Sequence, residues 1–135
     1  MPVAGFDHVA IPTQDAERFI TFYKRLGFTI VDEDAWRQGK ARIFSIHFGN
    51  SKINVHPPGF VAGLRGPTAT PGCGDFCFVW EGDLASLQAM LQGAGVDILE
   101  GPVPRRGGRD RGTREGTSIY LRDPDENLLE FMVYE

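Results

Sequence analysis

Apolar and polar positions along the chain spell out one order of elements twice. Residues 6–12 alternate, with Val9 and Ile11 on one side, which predicts a strand. Phe19, Phe22, Tyr23 and Leu26 then recur at helical spacing, so a helix is expected over about 15–26, with Gly27 as its stop. Three strands are predicted at about 28–32, 42–48 and 52–56, and Gly49, Asn50 and Ser51 read as a tight hairpin between the last two. The order then restarts. Residues 75–80 set Phe76, Phe78 and Trp80 on one side of a strand. Asp83 is a good N-cap for a helix running to about Ala94, with Leu84, Leu87 and Leu91 in its apolar stripe. Strands follow at 96–99, 117–122 and 127–134, and the turn between the last two lies at 122–127.

The order is therefore βαβββ–βαβββ, repeating after about 67 residues. It predicts an α+β fold of two βαβββ units in a single domain spanning 1–135. Unit one covers about 1–58, a Gly- and Pro-rich linker 59–73, and unit two 74–135. The longest stretch without periodicity is 101–116, which carries five arginines.

Alternation also assigns faces. Val9 and Ile11 oppose His8 and Ala10; Ile53 and Val55 oppose Asn54 and His56; Leu129, Phe131 and Val133 oppose Leu128, Glu130 and Met132. The more apolar sets can pack under the helices. The other sets then place His8, Asn54, His56, Asp75 and Glu130 among small or apolar residues, the mixture expected of a cup with a polar floor rather than a solvated surface. The repeat pairs His8 with Asp75. It pairs Glu130 with Asn54, or with His56 if the register slips by two. Tyr120 and Arg122 can face the same side, although Arg122 could equally pair with Asp123 or Asp125 in the turn. His47, beside the hairpin, is expected at the rim or surface.

Three segments, FDHVAI at 6–11, FYKRLGF at 22–28 and RDPDENLLEF at 122–131, resemble the vicinal oxygen chelate superfamily. That group includes glyoxalase I, extradiol dioxygenases, and fosfomycin- and bleomycin-resistance proteins. The likeness spans nearly the whole chain, and KINVH and GPVPR are similar to its small glyoxalase-domain members. The resemblance implies an open cup of mixed sheet with a divalent metal on its floor, chelated by two neighbouring substrate oxygens. It makes His8 and Glu130 metal ligands by matching motif and Asp75 a ligand by position. Where glyoxalase I carries a carboxylate base this chain has Asn54, so glyoxalase I activity itself is not expected, and His56 is the alternative base. A set of one histidine and two carboxylates suits Mn, Fe or Zn. The resemblance therefore implies a metal-dependent lyase, isomerase or dioxygenase acting on a small molecule. A metal-free protein that sequesters a ligand in the cup is the alternative, and a regulatory module with a vestigial cup is a further one.

Charge narrows the partners. The formal net charge is −4, from 14 basic and 18 acidic residues, which argues against broad nucleic-acid binding. No apolar run approaches the roughly 20 residues that span a bilayer, and the first ten residues lack a signal pattern, so a cytoplasmic protein is expected. Cys73 and Cys77 on one strand would stand about 13 Å apart, too far for a disulfide. The arginine-rich stretch, with Arg105 and Arg106 at its start, is expected either to be a solvated loop or to gather an anionic substrate; Arg122 and Asn54 are further substrate contacts. Unpaired strand edges and the family likeness together predict a homodimer.

Overall fold

The computed structural model of the protein describes residues 2–135. The chain forms two compact units, Met1–Cys73 and Gly74–Glu135.

The first unit contains β1 (His8–Pro12), α1 (Ala16–Arg25), β2 (Thr29–Val31), α2 (Glu33–Arg37), β3 (Phe44–Phe48) and β4 (Ser51–His56). Its sheet has the order β1-β4-β3-β2, with β1 parallel to β4 and the other pairs antiparallel. Asp15 caps α1 by accepting the Arg18 amide at 3.1 Å, which satisfies a backbone donor the helix cannot. Phe19, Ile20, Tyr23 and Leu26 are buried, as are Ile11, Phe44, Ile46, Ile53 and Val55 of the strands. Phe19 stacks on Tyr23 at 4.3 Å and meets Phe44 edge-on at 5.9 Å, tying helix to sheet. Each such side chain contributes about 1.5–3 kcal/mol on leaving water.

The second unit contains β5 (Asp75–Val79), α3 (Leu84–Ala94), β6 (Glu100–Arg106), α4 (Arg109–Gly112), β7 (Glu115–Arg122) and β8 (Leu128–Val133). Its sheet has the order β5-β8-β7-β6, again with the first pair parallel and the rest antiparallel. Asp83 caps α3 through the Ser86 amide at 2.8 Å. Leu87 and Leu91 of α3 are fully buried, with Phe78, Ile119, Leu121, Leu129 and Phe131 buried on the strands. Asp123 holds the β7–β8 turn by accepting the Asp125 and Asn127 amides, each at 2.9 Å.

The predicted α+β class is present as two four-stranded mixed sheets with helices. Two local expectations are corrected. The strand expected at 96–99 lies instead at Glu100–Arg106, and the stretch 101–116 is a hairpin whose tip, α4, is a tight turn with Asp110 and Arg111 in the left-handed region rather than an irregular loop. Pro102 and Pro104 misled the reading, since proline normally interrupts a ladder. Here β6 is an edge strand, where a missing amide costs little. The short helix α2 had no periodic signal of its own. It is held by ion pairs of Arg37 with Glu17 and with Glu33.

Candidate functional site

Strand register decides which side chains share a face. In the first unit His8 pairs with Lys52, and Lys52 with His47. One row on, Ala10 pairs with Asn54 and Asn54 with Ser45; the next row joins Pro12 to His56. His8, Asn54 and His56 therefore share one face, opposite the buried Ile53 and Val55. His47 lies on this face as well, with its Nε2 3.1 Å from the Ser45 hydroxyl.

His8 Nδ1 donates to the Asp7 carboxylate at 2.6 Å, and its other ring nitrogen has no partner among the described residues. The amide oxygen of Asn54 is buried and without a hydrogen-bond partner. A buried acceptor left unpaired costs about 1–3 kcal/mol, so it marks a place where a donor or cation is owed. At the end of the face, burial and then the Arg65 charge push the His56 imidazole below its ordinary range, which keeps it neutral at pH 7.

In the second unit Asp75 pairs with Leu128, Cys77 with Glu130 and Glu130 with Tyr120. Asp75, Cys77, Glu130 and Tyr120 share one face. Comparison of the two ladders resolves the register left open by the sequence. His8 and Asp75 each begin a first strand, and two residues later Ala10 faces Asn54 as Cys77 faces Glu130. Asn54, not His56, is the counterpart of Glu130.

Glu130 is the best-held group on this face. The buried Ser118 hydroxyl donates to its Oε2 at 2.5 Å. Arg105 lies on the same side: its Nε donates to the Tyr120 hydroxyl at 3.0 Å and its guanidinium sits 5.5 Å from that ring. Burial raises the Tyr120 phenol, Arg105 works against this, and Glu130 adds to it. Tyr120 therefore keeps its proton and acts as a donor. The Cys77 thiol is pushed up to about 12, first by burial and then by the charge of Glu130.

The remaining arginines are distributed differently. Arg106 pairs with Glu115 in the ladder, on the opposite face from Arg105, and is exposed. Arg109 lies over the Tyr134 ring at 4.3 Å and Arg114 pairs with Asp110. Arg122 bonds the Glu126 carbonyl at 3.1 Å, so its turn partner is Glu126 rather than Asp123 or Asp125.

A profile of the Glyoxalase/Bleomycin resistance protein/Dioxygenase superfamily matches residues 5–131. The chain belongs to this superfamily. It is 36% identical over 135 residues to the glyoxalase domain-containing protein RDO1 of Mycosarcoma maydis, covering 100% of this chain and 71% of that one. It is similar to the virulence protein STM3117 of Salmonella typhimurium, whose crystal structure covers 100% of both chains at 33% identity and a TM-score of 0.85. A lactoylglutathione lyase from Agrobacterium tumefaciens shares the glyoxalase-superfamily fold, with a TM-score of 0.68 at 19% identity over 98% of this chain and 96% of that one.

Superfamily membership raises the question of a divalent metal. Among the described residues no group of three or more His, Cys, Asp or Glu is arranged to hold one. His8 and Glu130, one in each unit, are each of a donor type that divalent cations take. An imidazole oriented through its second nitrogen by a carboxylate is the usual state of a metal-bound histidine, and His8 has that partner in Asp7. Glu130 supplies an oxygen ligand already oriented by Ser118. No helix among the described residues is long and apolar enough to cross a membrane.

Ser118 and Ser45 were missed from the sequence, although strand alternation from Tyr120 and from His47 was enough to find them. Arg65 gave no signal, because it lies in a Gly- and Pro-rich segment without periodicity.

Proposed function

We propose that this protein is a divalent-metal-dependent enzyme, of lyase, isomerase or dioxygenase type, acting on a small molecule with two adjacent oxygens. Its metal ligands in this reading are His8, Glu130 and Asp75. The observation that carries it is the 2.6 Å hydrogen bond from His8 Nδ1 to Asp7, which fixes the ring and leaves the other nitrogen free on the polar face. A bound divalent cation would act as a Lewis acid toward the substrate oxygens.

The chain's own groups divide the remaining work. The neutral His56 imidazole can accept a proton at its ring nitrogen. Tyr120 retains its hydroxyl proton and can donate a hydrogen bond to an oxygen that gains charge. Arg105, braced by Tyr120, offers its guanidinium to a substrate anion, with Arg122 as a further contributor, whereas Arg106, expected from the sequence to join them, points to the opposite face of β6. The unpaired amide oxygen of Asn54 can accept a hydrogen bond from the substrate. The functional form is proposed to be a homodimer.

Elemental analysis of protein prepared without chelators tests this reading. One equivalent of Mn, Fe or Zn per chain is expected. Protein that takes up no metal yet retains a ligand would belong to the alternative class, a metal-free sequestering protein.

A further inference from the structure

At the end of the β1–β4 polar face away from His8, the segment following β4 folds back and closes a cavity of about 110 Å³. Its floor is Ala10, Pro12 and His56, where Pro12 and His56 are ladder partners. Its walls are Phe60, Leu64 and Arg65. The Phe60 amide bonds the Pro57 carbonyl at 3.1 Å, and this turn brings the ring edge-on to His56 at 5.0 Å.

This lining is apolar except for two groups, the His56 imidazole and the Arg65 guanidinium. The Arg65 side chain has no hydrogen bond or ion pair among the described residues, a state it shares with those of Arg18, Arg25, Arg42, Arg106 and Arg111, and among these it is the one that lines this cavity. A cation without an acid of its own, standing at an apolar cavity, is arranged to meet an anion from outside. The volume limits that anion. Pockets for drug-sized ligands run to about 300–1,000 Å³, so this one admits one end of a small molecule and no nucleotide. The ring of Phe60 against His56 suits an apolar body, flat or short.

We propose that this cavity binds the carboxylate-bearing end of a small organic acid, with Arg65 pairing with the carboxylate and Phe60 and His56 packing on the apolar body. The proposal names a substrate class for the polar face of the first unit and rests on reading that face as the substrate site. The contact itself requires no metal.

The test is a titration of the full chain with benzoate, benzamide and inorganic phosphate, followed by ¹H–¹⁵N NMR, once after chelator treatment and once with added Mn²⁺-free Zn²⁺. Benzoate should saturate, shift the amides of Phe60 and Arg65, and bind at least tenfold tighter than benzamide or phosphate. Arg65→Ala should bring benzoate down to the level of benzamide. Arg42→Ala, in a neighbouring hollow, should change nothing. Arg65 is exposed, so the variant is expected to fold, and its circular dichroism checks this. Equal affinity for benzoate and benzamide overturns the proposal. So does phosphate binding as tightly as benzoate, an Arg65→Ala variant with unchanged affinity, or shifts confined to residues 105–114. The two readings fail separately. Benzoate binding without metal uptake removes the metal and keeps the carboxylate site, and metal uptake without benzoate binding does the reverse.

Discussion

Replacing Ser118 by Ala removes one hydroxyl and nothing else. Ser118 is fully buried, and its Oγ donates to Glu130 Oε2 at 2.5 Å. Alanine is smaller and fits the same space, so no clash accompanies the loss. A hydrogen bond to a charged group contributes about 1.5–3 kcal/mol. With a urea dependence of about 2 kcal/mol per molar, the unfolding midpoint should fall by about 1 M. The second effect concerns function. If Ser118 orients Glu130 as a ligand, losing it should weaken divalent-metal affinity by about 10–100-fold, the usual cost of removing such a partner. Urea unfolding followed by circular dichroism reads the first effect, and competition with a chromogenic chelator reads the second. Ser118→Cys, nearly isosteric with a weaker donor, should fall between wild type and alanine in both. A variant that loses stability but keeps full metal affinity would refute the positioning role, and one unchanged in both would refute the hydrogen bond's importance altogether.

Cys77 should resist alkylation. With its thiol pushed up to about 12, the thiolate fraction at pH 8 is on the order of 10⁻⁴ and grows only as pH approaches that value; both cysteines are exposed, so iodoacetamide followed by mass spectrometry should label Cys73 first on thiolate fraction rather than on access, and equal rates at the two sites would contradict this. Glyoxalase I turnover of the glutathione hemithioacetal of methylglyoxal should stay far below the roughly 10 s⁻¹ of an ordinary enzyme, because Asn54 stands at the position homologous to Glu130 and is no base; turnover at that rate would point to His56 instead. Light scattering should give the mass of a dimer, whose formation would cover part of the exposed apolar surface at Phe6, Val79 and Leu99; a monomer throughout the micromolar range would contradict it.

The fold was legible because its two units carry the same apolar periodicities. Phe19 and Tyr23 on α1 with Leu26 at its C-cap, and Leu87 and Leu91 on α3, are buried as their spacing predicts. Face assignment by alternation was also sound, since a period of two leaves no freedom once a strand is identified. It set His8, Asn54, His56, Asp75 and Glu130 apart from the apolar sets of their strands, and the ladders put the first three on one sheet and the last two on the other. Sequence failed where the third dimension decides. Whether a strand lies at an edge cannot be read locally, so Pro102 and Pro104 masked β6 and turned an ordered hairpin into an apparent loop. The choice between Asn54 and His56 required the ladder register, and the role of Arg65 required the return of a segment that has no pattern of its own.

The metal content of His8→Ala and Glu130→Ala beside wild type tests the proposed ligand roles of His8 and Glu130. All three proteins are prepared without chelators, checked for native circular dichroism, dialysed against the same Zn²⁺ or Mn²⁺ buffer and analysed for bound metal. One equivalent per chain is expected in the wild type and less than a tenth of that in either folded variant. Full metal content in both variants would place the site elsewhere and contradict those roles.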